Sequence, residues 1–399
     1  MHILQLAKKM PYPPHDGEAI AILQLTEGLQ AAGHRVRLLT MNTSKHHYPL
    51  NQLPPTLQTL IDAVPIDTTI RAWAAFRNLF SSKSYHIARF VSEAYRQRII
   101  EYLQQEQYDI IQLEGIYLTA YLPTIRQYSR APVVLRAHNI EFEIWERLAQ
   151  QTHNPLKRSY LQLLARRLRA FELTHLSQVD AIVPISSKDA QFFQHYVSCP
   201  IMTLVAGLPT DKYLPPTLPA VFPSLYFMGA LDWLPNQEGL LWFLNEVWTI
   251  VAPQFPALQL SVAGRSCPSA LANKLHQMPQ VRFLGEIPEA LPFIHAHQIM
   301  VIPLFSGSGM RLKIVEAMAA QRCIIATSIA AEGIAYTHEK DILIADTADT
   351  FAQYLCQCLQ DPNLCETIGK NAQQLAATQH NNQQLIAQLV HFYEQLWLQ

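Results

Sequence analysis

The chain has 399 residues, of which 49% are hydrophobic and 15% are charged, and its formal net charge is −1. This length exceeds what one hydrophobic core usually supports, so we expect two domains. The composition excludes a disordered chain, and the net charge near zero gives no overall attraction to nucleic acid. No nucleic-acid partner is therefore expected, and any electrostatic role must be local.

The amino terminus, MHILQLAKKMPYPP, lacks the pattern of a secretory signal peptide. Its apolar stretch is short, and Lys8 and Lys9 follow that stretch rather than precede it. No apolar run is long enough for a transmembrane helix, so we expect a cytoplasmic protein. The six cysteines are scattered, and none has a CxxC or Cys/His metal spacing, which favours free thiols in a reducing compartment.

Short apolar runs recur along the chain, and most are apolar throughout, which is typical of strands buried on both faces. In the first half they lie at 2–6, 35–40, 109–113, 132–137 and 180–186. In the second half they lie at 224–231, 258–264, 281–285, 299–305, 322–327 and 341–345. Helical segments such as 18–34 and 236–256 separate them. The alternation predicts an α/β fold with two doubly wound parallel sheets.

Residues 207–223 are dense in proline and lack hydrophobic periodicity, which predicts a stiff linker. The predicted amino-terminal domain is therefore 1–206, and the predicted carboxyl-terminal domain is 224–380. The last segment, 381–399, has an amphipathic helical pattern, and we expect it to pack back toward the amino-terminal domain.

A second helical segment, 157–172, carries Arg166, Arg167 and Arg169 beside several leucines. One interpretation is peripheral contact with an anionic membrane at its inner face. The other is a packed helix whose cationic side faces solvent. The aromatic-rich segment 41–108 also has two interpretations, the lining of a ligand-binding groove or a set of core helices.

The segment SGSGMRLKIVEAMA (306–319) directly follows one of the predicted buried strands. Its glycines allow a close turn, and the start of the next helix adds partial positive charge to that of Arg311 and Lys313. Such a combination suits a diphosphate, and Glu316 can accept two hydrogen bonds from the vicinal hydroxyls of a ribose. The alternative is an ordinary helix start with a solvated first turn, because the spacing matches neither a P-loop nor GxGxxG.

The segment GSGMRLKIVEAMAAQRCIIATSIAAEGI (307–334) resembles the signature of the family 4 glycosyltransferases. Other segments resemble further parts of that family in the same order, namely 11–40, 136–141, 184–193 and 226–244. The resemblance covers nearly the whole chain. It implies the GT-B architecture, in which two Rossmann-like domains face each other across a cleft, the amino-terminal one for the acceptor and the carboxyl-terminal one for the nucleotide sugar.

The resemblance also implies an activity. The expected enzyme is a retaining hexosyltransferase that moves a sugar from a UDP- or GDP-linked donor to a glycan, a lipid-linked glycan or a small molecule. The chain has no DxD motif, so neither a metal nor another cofactor is expected. Cationic side chains and a helix start would instead stabilise the departing nucleoside diphosphate.

The site residues carry over position by position. Glu316 corresponds to the second glutamate of the family's E-x7-E motif, the one that holds the ribose. The residues expected to bind the donor are Gly17, Gly229, Asn236, Arg265, Ser308, Gly309, Met310 and Glu316. The residues expected to act in catalysis are His138, near the donor sugar, and Arg311 and Lys313, at the diphosphate.

Two positions depart from the family pattern. Ser308 stands where the first glutamate of E-x7-E would be, which leaves the sugar identity open. It also keeps a non-catalytic binding protein as an alternative, and a sugar-nucleotide epimerase of the same fold is a further one. Gly17 is followed by Glu18 rather than by a second glycine, and Glu18 either caps the next helix or faces the acceptor.

Several of these residues also have a purely structural interpretation. His138 can be a hydrogen-bonded core histidine at a strand end. Asn236 can be the N-cap of its helix, since asparagine is among the preferred N-cap residues. His15 and Asp16 form either an acid–base pair or a simple turn. The segment 186–188 favours a helix cap.

Overall fold

The computed structural model of the chain describes residues 1–14, 16–69, 73, 78, 84–214, 220–307 and 310–398. The chain divides into two compact units. The first comprises Met1–Val205 and Asn382–Gln399, and the second comprises Ala206–Asn381. The described part of the proline-rich segment 207–223 lies in the second unit, and the first strand of that unit begins at Val221.

The first unit is built around a parallel six-stranded sheet. Its strands are β1 (His2–Ala7), β2 (Arg35–Thr43), β3 (Ile61–Ile66), β4 (Ile110–Glu114), β5 (Val133–Ala137) and β6 (Ala181–Pro184). The strand order is β3-β2-β1-β4-β5-β6, so the order reverses between β1 and β4. In register, Ile3 of β1 pairs with Val36 of β2 and with Ile110 of β4.

Within the described residues, eight helices of the first unit precede its last strand or follow it closely. They are α1 (Gly17–Ala31), α2 (Pro55–Gln58), α3 (Tyr85–Ala88), α4 (Glu93–Gln105), α5 (Leu122–Tyr128), α6 (Glu141–Gln151), α7 (Pro155–Leu176) and α8 (Ser187–Gln194). The side chain of Ser186 accepts a hydrogen bond from the backbone of Asp189 (3.1 Å), which confirms the predicted helix cap at 186–188.

Strand β3 was missed by the sequence analysis. Its sequence, IDAVPI, contains Asp62 and Pro65, and both residue types are depleted in strands. The strand lies at the edge of the sheet, where a residue without a backbone N–H is tolerated because one side of the strand has no partner to bond. The apolar-run criterion therefore finds central strands and misses this edge strand.

The second unit repeats the arrangement. Its strands are β7 (Val221–Met228), β8 (Leu260–Ala263), β9 (Val281–Gly285), β10 (His297–Ile302), β11 (Cys323–Ala326) and β12 (Leu343–Ile344). All pairings are parallel, in the order β12-β11-β10-β7-β8-β9, and the order reverses between β7 and β10. The predicted α/β class with two doubly wound parallel sheets is confirmed.

The helices of the second unit cover both faces of its sheet. They are α9 (Leu234–Trp242), which continues through the π-helical Phe243–Trp248, then α10 (Ser269–Gln277), α11 (Ala290–Ala296), α12 (Leu312–Ala319), α13 (Ala348–Gln360) and α14 (Pro362–Gln379). Two apolar clusters, one on each face, contain fully buried residues such as Phe243 and Phe351 on one side and Ile314 and Met318 on the other.

The carboxyl-terminal helix α15 (Asn382–Trp397) belongs to the first unit and packs on α1. A Cβ at Gly28 of α1 would lie 2.7 Å from the side chain of Ile386, so glycine permits this close approach. The hydroxyl of Tyr393 donates a hydrogen bond to the buried side chain of Gln112 on β4. Helix α15 thus contributes to both the apolar and the polar interior of the unit.

Helix α7 combines a buried and an exposed side. Leu161, Leu164 and Leu168 are buried, whereas Arg166 and Arg169 are exposed, so the segment is a packed helix with a cationic face. Contact of this face with an anionic membrane stays a prediction. None of the helices in the described part of the chain is long and apolar enough to cross a membrane.

Three cysteines that are far apart in the sequence meet in the core of the second unit. Cys323, Cys358 and Cys365 are buried, and their sulfur atoms all lie within 4.8 Å of one another. All six cysteines are free, as expected. The clustering was not predicted, because it arises from the packing of β11, α13 and α14 rather than from a spacing motif.

Candidate active site

Several polar side chains of the second unit lie close together at the point where its strand order reverses. Open α/β sheets bind ligands past the carboxyl ends of the strands at this point. The turn after β7 carries Gly229 and leads into α9, and the loop after β10 leads into α12, which carries Lys313 and Glu316. The ammonium group of Lys313 donates a hydrogen bond to Oδ1 of Asn236 (3.1 Å).

Asn236 links the two loops. Its Nδ2 donates to the carbonyl of Ala230 (2.8 Å), while its Oδ1 accepts from Lys313. The N-cap position of α9 is occupied by Trp233, so the alternative that Asn236 is an N-cap is wrong. The asparagine lies inside the first turn and is buried, which leaves its side chain to hold Lys313 in place.

Two glycines allow the backbone to close around this group. A Cβ at Gly229 would lie 2.8 Å from Nδ2 of Asn236 and 2.9 Å from the Nζ of Lys313. A Cβ at Gly264, after β8, would lie 2.1 Å from the carbonyl oxygen of Gly229. Gly229, Asn236 and Lys313 therefore lie in contact with one another. A side chain at position 264 would clash with the backbone of Gly229, so only glycine fits there.

Arg311 occupies the N-cap position of α12 and is buried. Its guanidinium carbon lies 5.2 Å from the centroid of the Trp233 ring, a cation–π distance. Gly307 has a φ of 106°, and a Cβ there would lie 2.7 Å from both a guanidinium nitrogen and the indole ring. Only glycine therefore fits at position 307, beside the arginine.

Burial perturbs both cations. Desolvation lowers the pKa of Arg311. Desolvation and then the positive charge of Arg311 lower the pKa of Lys313 to about 7, with Glu316 acting in the opposite direction. Two cations buried near each other favour the binding of an anion, because an opposite charge restores the charged form of the lysine.

Glu316 lies one turn further along α12. Its Oε1 accepts a hydrogen bond from the hydroxyl of Tyr213 (2.9 Å). Burial raises the pKa of Glu316, whereas the tyrosine and Lys313 act in the opposite direction. Tyr213 was missed by the sequence analysis, because it lies in the segment that was interpreted as a linker.

The second unit contains four further residues that were predicted to bind the donor. Arg265 follows β8 and is half-buried, and its carbonyl accepts from the backbone of Leu231 (3.0 Å). Met310 packs against the apolar cluster beneath α12. Ser308 and Gly309 lie outside the described residues, so their predicted contacts stay predictions.

The first unit contains the two remaining residues that were predicted to belong to the site, His138 and Gly17. His138 follows β5 and is buried, and the carboxylate of Glu114 accepts a hydrogen bond from its Nε2 (2.7 Å). Glu114 is itself fully buried beside Arg136, whose Nε lies 3.9 Å away. His138 is thus a well-bonded buried histidine, and its role at the donor sugar stays a prediction.

Gly17 begins α1, directly after an N-cap residue. That N-cap is Asp16, whose side chain accepts from the backbone of Ala19 (2.9 Å), so Asp16 has the turn role. His15, its possible acid–base partner, lies outside the described residues. Glu18 is not the cap: its carboxylate lies 3.3 Å from the Nζ of Lys8.

Comparison with known proteins places the chain in a family. The family model "Glycosyl transferase 4-like domain" matches residues 16–200, and the model "Glycosyl transferases group 1" matches residues 222–361. A similar protein is an uncharacterized 44.6 kDa protein in the cps region of Klebsiella pneumoniae, 22% identical over 391 residues that cover 93% of this chain and 94% of that one.

Solved structures share the fold over the full length. Sucrose-phosphate synthase from Thermosynechococcus elongatus is 19% identical with a TM-score of 0.72, and 100% of each chain is covered. HepE from Anabaena, solved in complex with UDP, is 14% identical with a TM-score of 0.66 over 99% of this chain and 100% of that one. At these identities the likeness shows the fold. The two family models together span most of the chain, which therefore belongs to the group 1 glycosyltransferases and is a glycosyltransferase of GT-B fold.

Proposed function

We propose that the protein is a retaining glycosyltransferase that transfers a hexosyl group from a UDP- or GDP-linked donor. The acceptor is a hydroxyl on a glycan, a lipid-linked glycan or a small molecule, and neither a metal nor another cofactor takes part. The observation that carries the proposal is the group on α12, where Arg311, Lys313 and Glu316 lie at the carboxyl end of β10.

The diphosphate and the ribose of a nucleoside diphosphate each have a counterpart in this group. The buried cations Arg311 and Lys313 suit the diphosphate, and the start of α12 adds partial positive charge. The carboxylate of Glu316 suits the ribose hydroxyls, with the hydroxyl of Tyr213 either retained beside them or displaced. UDP and UDP-glucose complexes of HepE, which has a similar fold, support a nucleotide sugar as donor.

The chemistry follows from where charge develops. When the bond between the anomeric carbon and the diphosphate oxygen breaks, negative charge grows on the leaving group. Arg311 and Lys313 would stabilise that charge from fixed positions in a desolvated site. We assign no nucleophile, and we expect His138, held by Glu114, to lie near the donor sugar.

The ribose assignment is tested by melting wild type and Glu316→Ala with UDP, GDP, ADP and CDP. A nucleotide at 100 times its dissociation constant stabilises the folded protein by about 2.7 kcal/mol, which should raise the melting temperature by on the order of a degree or more. We expect one nucleotide to stabilise wild type and the shift to vanish in the variant.

Two controls make this result specific. Tyr213→Phe removes a hydroxyl but keeps the carboxylate, so it should retain most of the shift. Glu366→Ala removes an exposed carboxylate of the same unit and should retain all of it. An equal shift in Glu316→Ala and wild type would remove the ribose role from Glu316.

The low pKa of Lys313 predicts pH-dependent nucleotide binding. Below about pH 7 the lysine is already charged. Above about pH 7 the lysine of the free protein is neutral, and a bound diphosphate raises its pKa, so the lysine takes up a proton when the nucleotide binds. The nucleotide affinity should therefore fall by up to about tenfold for each unit of pH. Calorimetry in buffers of different ionisation enthalpy should show this uptake. Lys313→Met should abolish it, whereas Lys370→Met, an exposed control, should not. Proton uptake that persists in Lys313→Met would contradict the assignment.

A further inference from the structure

A polar cavity lies in the first unit, past the carboxyl ends of three adjacent strands. Its volume is about 410 Å³, within the range of small-molecule sites. Lys8 and Lys9 follow β1, the turn 44–46 follows β2, and Thr68 and Thr69 follow β3. The cavity therefore occupies the edge of the sheet where open α/β folds bind ligands.

The side chains that line this cavity are mostly cationic. The charged and titratable ones are Lys8, Lys9, Glu18, Lys45, His46 and Arg89. Four of them carry a full positive charge and one carries a negative charge. This excess of positive charge in a concave site attracts anionic ligands, although the chain as a whole is nearly neutral.

Two of these cations are already paired. Lys8 lies 3.3 Å from Glu18 and 3.5 Å from Glu141. Lys9 lies 2.8 Å from Asp16 and 3.0 Å from Glu18. These three carboxylates hold the two ammonium groups in place and more than balance their charge on this side of the cavity.

The other two cations are not neutralised within the described part of the chain. Lys45 is exposed and has no ion-pair partner among the described residues. The guanidinium of Arg89 donates to the carbonyl of Thr68, with Nε 2.9 Å away, but has no carboxylate partner among the described residues. The carbonyl contact fixes the guanidinium while its charge stays available to a ligand.

We infer that this cavity holds a phosphate group of the acceptor, so that the transferase acts on a phosphorylated sugar or on a sugar linked through a diphosphate to a lipid. The inference rests on the proposed function, because it names the acceptor of that reaction. A dianionic phosphate balances Lys45 and Arg89 together, whereas a carboxylate balances one of them. Thr43, Ser44 and Thr69 also line the cavity, and their hydroxyls are possible further donors to a phosphate.

The test is calorimetric titration of the full chain saturated with UDP, so that the donor site is occupied. The probes are inorganic phosphate, glucose 6-phosphate, glucose and a short-chain polyprenyl diphosphate sugar. We expect both phosphorylated probes and inorganic phosphate to bind, and glucose to bind at least about tenfold more weakly than glucose 6-phosphate. The tighter of the two phosphorylated sugars identifies the source of the phosphate.

The variants are Lys45→Ala and Arg89→Ala, each expected to weaken phosphate binding about tenfold. Arg130→Ala, an exposed cation of the same unit outside the cavity, should leave it unchanged. Lys45 is exposed, so its variant keeps the test valid if Arg89→Ala fails to fold. Equal binding of glucose and glucose 6-phosphate, or unchanged phosphate binding in Lys45→Ala, would overturn the inference.

The two proposals fail in different ways. If UDP binds but phosphorylated probes do not, the acceptor inference is wrong and the proposed function stands. If neither UDP nor GDP binds, the proposed function fails at its donor site. The phosphate titration without UDP, compared between wild type and Lys45→Ala, then still decides whether the cavity binds an anion.

Discussion

Replacing Glu114 with alanine is expected to destabilise the first unit by about 3–5 kcal/mol, the cost of removing one partner of a buried ion pair. Glu114 is fully buried on β4 beside Arg136, which is 3% exposed. Nε and Nη1 of that arginine have no hydrogen-bond partner in the described structure. Without the carboxylate, a buried guanidinium loses its only close counter-charge among the described residues.

Two further variants distinguish the effect of the Glu114 charge on stability from the effect of its side-chain volume. Glu114→Gln keeps the side-chain volume but loses the charge, and its amide can accept only one of the two hydrogen bonds that Gln112 and His138 donate to the carboxylate. Its cost should be intermediate. Glu114→Leu combined with Arg136→Met removes both charges and should recover most of the loss, as apolar replacements of buried ion pairs usually do.

The measurement is denaturant unfolding of the full chain, with hydrogen exchange of peptides from residues 1–205 to follow the first unit by itself. Glu143→Ala is the matched control. It removes a partly exposed carboxylate that pairs with Arg147 one turn away, and should cost only about 0.3–0.5 kcal/mol. Equal costs for Glu114→Ala and Glu143→Ala would show that the buried pair does not stabilise the unit.

Removing the charge of Arg311 or Lys313 is expected to lower kcat by about 10²–10³-fold, the usual effect of losing one pre-organised group that stabilises developing charge. Lys313→Met is the cleaner variant, because methionine fills a similar volume without a buried charge and should not reduce stability. Arg311→Met removes the second charge and its stacking on Trp233.

The readout is the initial rate of nucleoside diphosphate release from the donor. A larger fall in kcat than rise in KM would place the charges at the leaving group in the transition state. Arg282→Ala, an exposed cation on β9 of the same unit, is the control and should leave kcat unchanged. An unchanged kcat in Lys313→Met would mean that the lysine only supports Asn236.

The sequence predicts much of this architecture, because central parallel strands are apolar throughout and stand out from the helices around them. The resemblance to the family also assigns Gly229, Asn236 and Lys313 to one donor site, and these three residues lie in contact in the structure. Strand β3 is not predicted, because Asp62 and Pro65 interrupt its apolar pattern. Both residues are tolerated there because the strand lies at the edge of the sheet.

The missing parts of the site depend on contacts between distant residues. Tyr213 reaches Glu316 across 103 positions, from a segment whose prolines indicate only a linker. The partner of His138 is Glu114, 24 positions earlier on a neighbouring strand, and an isolated glutamate in an apolar run carries no motif. The charged side chains of the cationic cavity likewise come from separate segments of the chain, each of which has only one or two charges.

The most direct test of the central claim is to incubate the protein with UDP- and GDP-hexoses together with a panel of acceptors that includes glucose 6-phosphate and a short-chain polyprenyl diphosphate sugar. The reaction is followed by ³¹P and ¹H NMR. We predict release of the nucleoside diphosphate, and a product whose anomeric proton has the configuration of the donor, with Lys313→Met nearly inactive. Nucleotide binding without turnover of any donor, or interconversion of the donor sugar without release of the diphosphate, would contradict it. The first result would indicate a binding protein, and the second an epimerase.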